Sequence, residues 1–191
     1  VPLEGSLAER PEWQQYDADN AINYELGIKG SLGDSGHNYN LSLYRIDWND
    51  PQLNTASTWG FFTVANGDTA RTQGLEFELK GYITDSLRYV LGYAHVDAKL
   101  TGDFLVPSSV DAEAATRIAA RDGDRLPSTP KNMLSLSLDH TYRVNGDWYL
   151  ISAINGYYQS DSLNFLGDSP QLQAEIDGFS IWNASARLSS D

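Results

Sequence analysis

The chain holds few groups able to do covalent or metal chemistry, and they are scattered. Its 191 residues include no cysteine, which removes disulfides, thiolate metal sites and thiol nucleophiles. His37, His95 and His140 lie far apart, none with a second histidine at ligand spacing, so no metal site is expected. Asp47, Asn49 and Asp50 place oxygen donors close together, as do Asp122 and Asp124. Such groups suit a hard cation like Ca²⁺, but a solvated acidic loop is the ordinary meaning of the same pattern. No nucleophile with its base stands out. The expectation is therefore a protein that is not an enzyme and needs no cofactor.

Groups for binding are better represented. Trp59, Phe61 and Phe62 form an aromatic cluster able to stack on a sugar or an aromatic chelator. Arg71 can pair with an anionic group. Arg117, Arg121 and Arg125 add positive charge, and Asp161 and Asn164 add polar groups. Trp59, Phe61, Phe62, Arg71, Arg121 and Asp161 are the expected contacts of a small-molecule ligand. Any one of them could equally pack its own loop or face water. With 26 acidic residues against 13 basic ones the net charge is -13, which disfavours nucleic acid or an anionic membrane surface as partner.

The elements that must position these residues alternate with period two. In Ile22–Leu32, Ile22, Tyr24, Leu26 and Ile28 share a face opposite Asn23, Glu25, Gly27 and Lys29, the signature of a strand. A second strand starts near Asn38 with Tyr39, Leu41 and Leu43 apolar. There the phase slips to Tyr44, Ile46 and Trp48, as a bulge or a strand rising out of a membrane would produce. Further strands are expected from Leu75, from Leu87, over Leu134–Tyr142, over Trp148–Tyr158 and over Phe179–Leu188. The sixth is apolar on both faces at first and its orientation stays open. Tight turns at Gly33–Gly36, Thr84–Ser86 and Asn145–Asp147 alternate with long connections over 49–72, 98–130 and 159–178. Ala112–Ala120, in the second connection, has the composition of a short helix.

No apolar run approaches the roughly 20 residues of a membrane helix, but a membrane β-barrel produces none. A soluble β-sandwich also alternates. The strict rhythm of short turn and long loop instead matches an outer-membrane barrel. So do polar faces of Gly, Ser, Asn and isolated charges, and aromatics near strand ends: Tyr24, Tyr39, Trp48, Tyr89, Tyr93, Tyr142, Trp148 and Trp182. Glu76, Glu78, Lys80 and Arg88 are then lumen charges. The expected fold is all-β, an antiparallel transmembrane barrel of which seven consecutive strands are present.

Particular segments resemble TonB-dependent receptors. Asn23-Tyr24-Glu25-Leu26-Gly27-Ile28-Lys29-Gly30 is similar to a strand of that family, and Leu41–Asp50 to the strand that follows. Asn66–Glu78, with Gly67, Gly74 and Glu76, resembles another. Gly123-Asp124-Arg125-Leu126-Pro127 with Pro130-Lys131-Asn132, and Phe179–Ser185, resemble later ones. Each piece is short, but the five occur in family order over 23–188. The resemblance implies energy-dependent uptake of a scarce ligand across the bacterial outer membrane, a ferric siderophore above all. Carbohydrate, a cobalamin-like cargo or a passive porin-like channel are the alternatives. It also implies outer-membrane lipid around the barrel and TonB as a partner acting through a plug. Such barrels have about 22 strands around the plug. Residues 1–191 are thus expected to be part of one barrel domain, with the plug and the final strands elsewhere.

Overall fold

A computed structural model describes residues 16–33, 36–56, 62–107, 116–167 and 173–190. Seven long strands form one antiparallel sheet. They are β1 (Asn20–Ser31), β2 (Asn38–Asn49), β5 (Thr69–Thr84), β6 (Leu87–Leu100), β9 (Asn132–Asn145), β10 (Trp148–Gln159) and β13 (Phe179–Ser190). Their order in the sheet is their order in the chain, each strand pairing with the one before it. Three two-stranded hairpins lie in the long connections: β3 (Gln52–Ala56) with β4 (Phe62–Asn66), β7 (Phe104–Pro107) with β8 (Thr116–Ala120), and β11 (Ser162–Leu163) with β12 (Glu175–Ile176).

All seven expected strands are present, and the register sorts their side chains into two faces. One row runs Ile28, Leu41, Phe77, Tyr93, Leu134 and Tyr158 before reaching Ser180; the next runs Gly30, Tyr39, Leu79, Leu91, Leu136, Gly156 and Trp182. The opposite face carries Lys29, Asn40, Glu78, Gly92, Ser135 and Tyr157 in one row, then Ser31, Asn38, Lys80, Val90, Ser137, Asn155 and Asn183. The polar edge of the apolar face drifts across the sheet. The row of Leu26 is apolar through Leu43 and Leu75 but polar at His95 and Asn132. In β13 the change falls later, between Ser180 and Trp182. Strands tilted against a horizontal apolar band produce that stagger.

Among the described residues nothing covers the apolar face. Leu43 and Leu134 sit on interior strands and are still 48% and 41% exposed. A continuous face of this kind is foreign to a soluble monomer. Aromatic rings partly shield it where glycines leave gaps: the Trp182 ring lies over Gly156 and that of Tyr39 over Gly30. The same register settles the orientation of β10, with Leu150, Ile154 and Tyr158 on the apolar face and Ile151, Asn155 and Tyr157 on the polar one.

Of the two explanations for the change of phase in β2, the bulge falls away, because the strand pairs without a register shift on either side. Beyond Leu43 the apolar face gives way to Arg45 and Asp47, while the other face turns apolar at Tyr44, Ile46 and Trp48: the strand has left the apolar band. One expectation is corrected: Thr116–Ala120 is a strand paired with β7, not helix, and the rest of the expected helix lies outside the described residues. Helix propensity in so short a stretch is easily overridden by pairing partners.

The buried core sits beyond the band, on the polar face, where that face has become apolar. Ala70, Val96, Ala98 and Leu100 from β5 and β6 meet Leu53 of β3, Phe104 and Val106 of β7, Ala120 of β8, and Leu126 and Leu166 from the loops. Phe104 and Leu100 are almost fully buried. The three long connections therefore fold inward over the sheet and share one core.

Candidate functional site

The inward-folded loops enclose a cleft of about 420 Å³. Trp48 of β2 and Thr72 of β5 supply its sheet side; Gln52, Leu53 and Asn54 come from the first hairpin, Leu126–Thr129 from the second connection, and Asn164–Leu166 from the third. None of the residues lining it is ionisable. The cleft offers two aromatic rings, Trp48 and Phe165, and a set of amides and hydroxyls. Such a lining can stack on a ring or a flat amide and hydrogen-bond to it.

Local bonds fix each wall. The indole Nε1 of Trp48 donates to Asp19 Oδ2 at 2.8 Å, which sets the ring's orientation. Asn66 Nδ2 donates to the carbonyls of Asp50 at 2.8 Å and Asp17 at 3.1 Å, and Gln52 Nε2 donates to the Asp17 carbonyl at 3.3 Å. These bonds tie the first hairpin to the segment before β1. The second and third connections are joined by Ser128 N–H to the Leu163 carbonyl, 2.7 Å, and by Arg125, whose Nη1 is 2.8 Å from Asp161 Oδ2. That arginine's bond holds the Asp161 carboxyl below the usual aspartate range, against a smaller opposing effect of burial. Ser128 has φ 57°, an uncommon conformation for a residue with a side chain. Gly167, at φ 103°, backs onto the Ala119 carbonyl with no room for a Cβ, so the third connection rests directly on β8.

The residues expected from sequence are distributed around this cleft. Trp59 and Phe61 lie outside the described residues. Phe62 opens β4, and its backbone pairs with Ala56. Arg71 is on the apolar-face side of β5, with Nε 2.7 Å from Asp47 Oδ1. Arg121 stands at the turn before β9, its N–H donating to Asp124 Oδ2 at 2.8 Å. Asp161 is Arg125's partner. Of the residues singled out, Asn164 lines the cleft, while Arg71, Arg121 and Asp161 do not. Trp48 and Phe165 are what sequence reading missed as binding groups. The signal for Trp48 was the apolar turn of its face above Leu43, which requires something to cover it.

Farther along the polar face a shallower furrow of about 310 Å³ runs past Asn40, Glu76, Glu78, Ser135 and Tyr157. Glu78 pairs with Lys80 at 3.0 Å, and Ser42 Oγ donates to Glu25 Oε1 at 2.8 Å. Arg88 stands 3.8 Å from Asp139. The expected lumen charges are thus on one face, partly paired across it. The oxygen-donor groups do not converge on a cation: Asp47 is held by two arginines, and Asp124 accepts from the Arg121 backbone.

The profile of the family described as "TonB dependent receptor-like, beta-barrel" matches residues 14–190. The probable TonB-dependent siderophore receptor PiuA of Acinetobacter baumannii is 27% identical over 131 residues, 69% of this chain and 16% of the relative. The metal-pseudopaline receptor CntO of Pseudomonas aeruginosa is 26% identical over 176 residues, 90% of this chain and 22% of the relative. Among solved structures, the ferric yersiniabactin uptake receptor FyuA from Yersinia pestis superposes with a TM-score of 0.63 at 17% identity, over 88% of this chain and 22% of that one. The chain thus spans about a fifth of the length of these relatives, and it belongs to the family of TonB-dependent receptor β-barrels, outer-membrane proteins of Gram-negative bacteria.

Proposed function

We propose that this chain is part of the wall of a receptor that takes up a scarce ferric siderophore, with energy supplied through TonB. The single observation that carries the reading is the cleft at the loop end of the lumen face, built jointly by all three long connections. Relatives named as receptors for siderophores and for metal-pseudopaline support it. In this reading residues 1–191 are one stretch of a single barrel domain. The tight turns are periplasmic, the loops extracellular, and the plug that meets TonB is supplied from outside the stretch. The wall binds and positions cargo and does no chemistry on it.

The uncharged lining favours a second cargo. A saccharide, with neutral hydroxyls and a flat apolar face, would suit Trp48, Phe165 and the neighbouring amides. Uptake of labelled ferric siderophores and of labelled oligosaccharides by cells carrying the intact receptor separates the two. Trp48→Ala removes a pre-oriented aromatic and is expected to weaken cargo binding about 10- to 30-fold, the scale of an interfacial hot spot. Unchanged binding of every cargo by Trp48→Ala and Phe165→Ala would take the cleft out of the uptake path.

A further inference from the structure

The lumen face sorts its charges from the loops downward. β1, β5 and β9 run from the loops to the tight turns and carry both signs on that face. On each of them the carboxylate comes first: Glu25 before Lys29, Glu76 and Glu78 before Lys80, Asp139 before Arg143. β6 and β13 carry only a cation there, Arg88 and Arg187, and it stands near the tight-turn end of the strand. Below the loops this wall is therefore first neutral, then acidic, and basic only farther down.

The other cations do not change that order. Of the 13 lysines and arginines, all but Arg10 are among the described residues. Arg45, Arg71 and Lys99 project from the outer face. Arg125 is bound to Asp161, on which Lys131 also acts; Lys131 borders a neighbouring hollow together with Asp97. Arg117 and Arg121 line neither the cleft nor the furrow. The cleft lining thus holds no charged group, and the only charged groups of the furrow are Glu76 and Glu78. Glu78 has Lys80 at 3.0 Å, while Glu76 has no cationic partner among the described residues. An anionic cargo would lose water in this cleft without gaining a cation, and would then face carboxylates. A neutral or cationic cargo meets neither penalty. Three hydroxamates neutralise Fe³⁺, whereas three catecholates leave a trianion. We propose that this wall admits neutral or cationic ferric chelates, of which trihydroxamates are the type, and turns away tris-catecholates. The inference rests on the uptake reading and adds to it the charge of the cargo.

The test uses the intact receptor that carries this chain, in lipid nanodiscs, with three probes. Ferrioxamine B is a cationic trihydroxamate, ferrichrome a neutral one, and ferric enterobactin an anionic tris-catecholate. Quenching of tryptophan fluorescence reads the Kd of each. A trihydroxamate is expected to bind about tenfold or more tighter than the tris-catecholate, the scale of a charge left without its partner. Asn54 lines the cleft and is exposed, so Asn54→Lys adds a cation there with little demand on the fold. That variant should strengthen tris-catecholate binding about tenfold and leave the trihydroxamates unimproved. Glu76→Gln should narrow the gap between the probes, and Arg71→Gln, on the outer face, should leave it as in wild type. Equal or tighter binding of the tris-catecholate by wild type overturns the proposal and leaves the uptake reading standing. So does an Asn54→Lys receptor that separates the probes just as wild type does. Binding of none of the three chelates ends the siderophore reading, and this assignment with it.

Discussion

Ser137 and Leu138 are adjacent on β9, yet the register sends them into different solvents, and an arginine at each measures the difference. Leu138 stands opposite Tyr89 and Ile154 on the apolar face; Ser137 stands opposite Val90 and Asn155 on the lumen face. The apolar band on β9 starts after Asn132, six residues before Leu138. At about 3.4 Å per residue and a tilt of about 40°, Leu138 lies roughly 15 Å below that edge. The band is about 25 Å tall, so Leu138 is close to its midplane. Arginine there costs about 2–4 kcal/mol. Ser137→Arg should cost less than about 1 kcal/mol, since it meets water and Asp139, whose Oδ2 lies 3.4 Å from the native Ser137 Oγ. The assay is urea-dependent folding of the intact receptor into lipid vesicles, read by tryptophan fluorescence and by the heat-modifiable mobility of folded barrels. An equal cost at the two positions, or a larger one at Ser137, would refute the assignment of faces and with it the membrane reading of the sheet.

Phe104→Ala should remove about 3–5 kcal/mol from the shared loop core, because Phe104 is only 1% exposed. Hydrogen exchange should accelerate in β7 and β8 and in the loop segment around Leu126, while the centre of the sheet stays protected. Gly167→Ala should loosen the third connection by about 1–3 kcal/mol, seen as faster proteolysis there, because both its φ and the Ala119 carbonyl exclude a Cβ. The Asp161 carboxyl is depressed by Arg125, so its contribution is fully present above the ordinary aspartate pKa of about 3.9. It is lost only as pH falls through the lower folded value. Hydrogen exchange around Asp161 should therefore stay slow to pH values below that of a free aspartate and then rise, and Asp161→Asn should abolish the pH step.

Much of the sheet was legible because a strand between lipid and water must alternate at every residue. Leu134, Leu136 and Leu138 against Ser135, Ser137 and Asp139 state their faces directly. The loops obey no such rule. Leu53, Phe104, Leu126 and Leu166 each pack against residues of other connections, and no period within one segment reveals a partner in another. Ala and Arg content pointed to helix over 112–120, while the pairing that makes Thr116–Ala120 a strand comes from β7. Trp48 reads as one more aromatic at a strand end. Only the inversion of β2 above Leu43, with charge moving to one side and apolar groups to the other, shows that its ring belongs with the cleft. Arg71 is similar: its type suggested an anion, but the register decides which side of the wall it serves.

The shared loop core also bears on how the surface of these loops can vary. The outward side of one hairpin stands on side chains supplied by the other two connections. Variation at Phe104, Leu126 or Leu166 therefore disturbs the cleft together with that surface. Leu105 and Ile118, half exposed on the far side of the same hairpin, are free of that bond and can vary alone. Change is easiest where the hairpins show their backs, and the cleft is buffered by the same packing that joins the three connections.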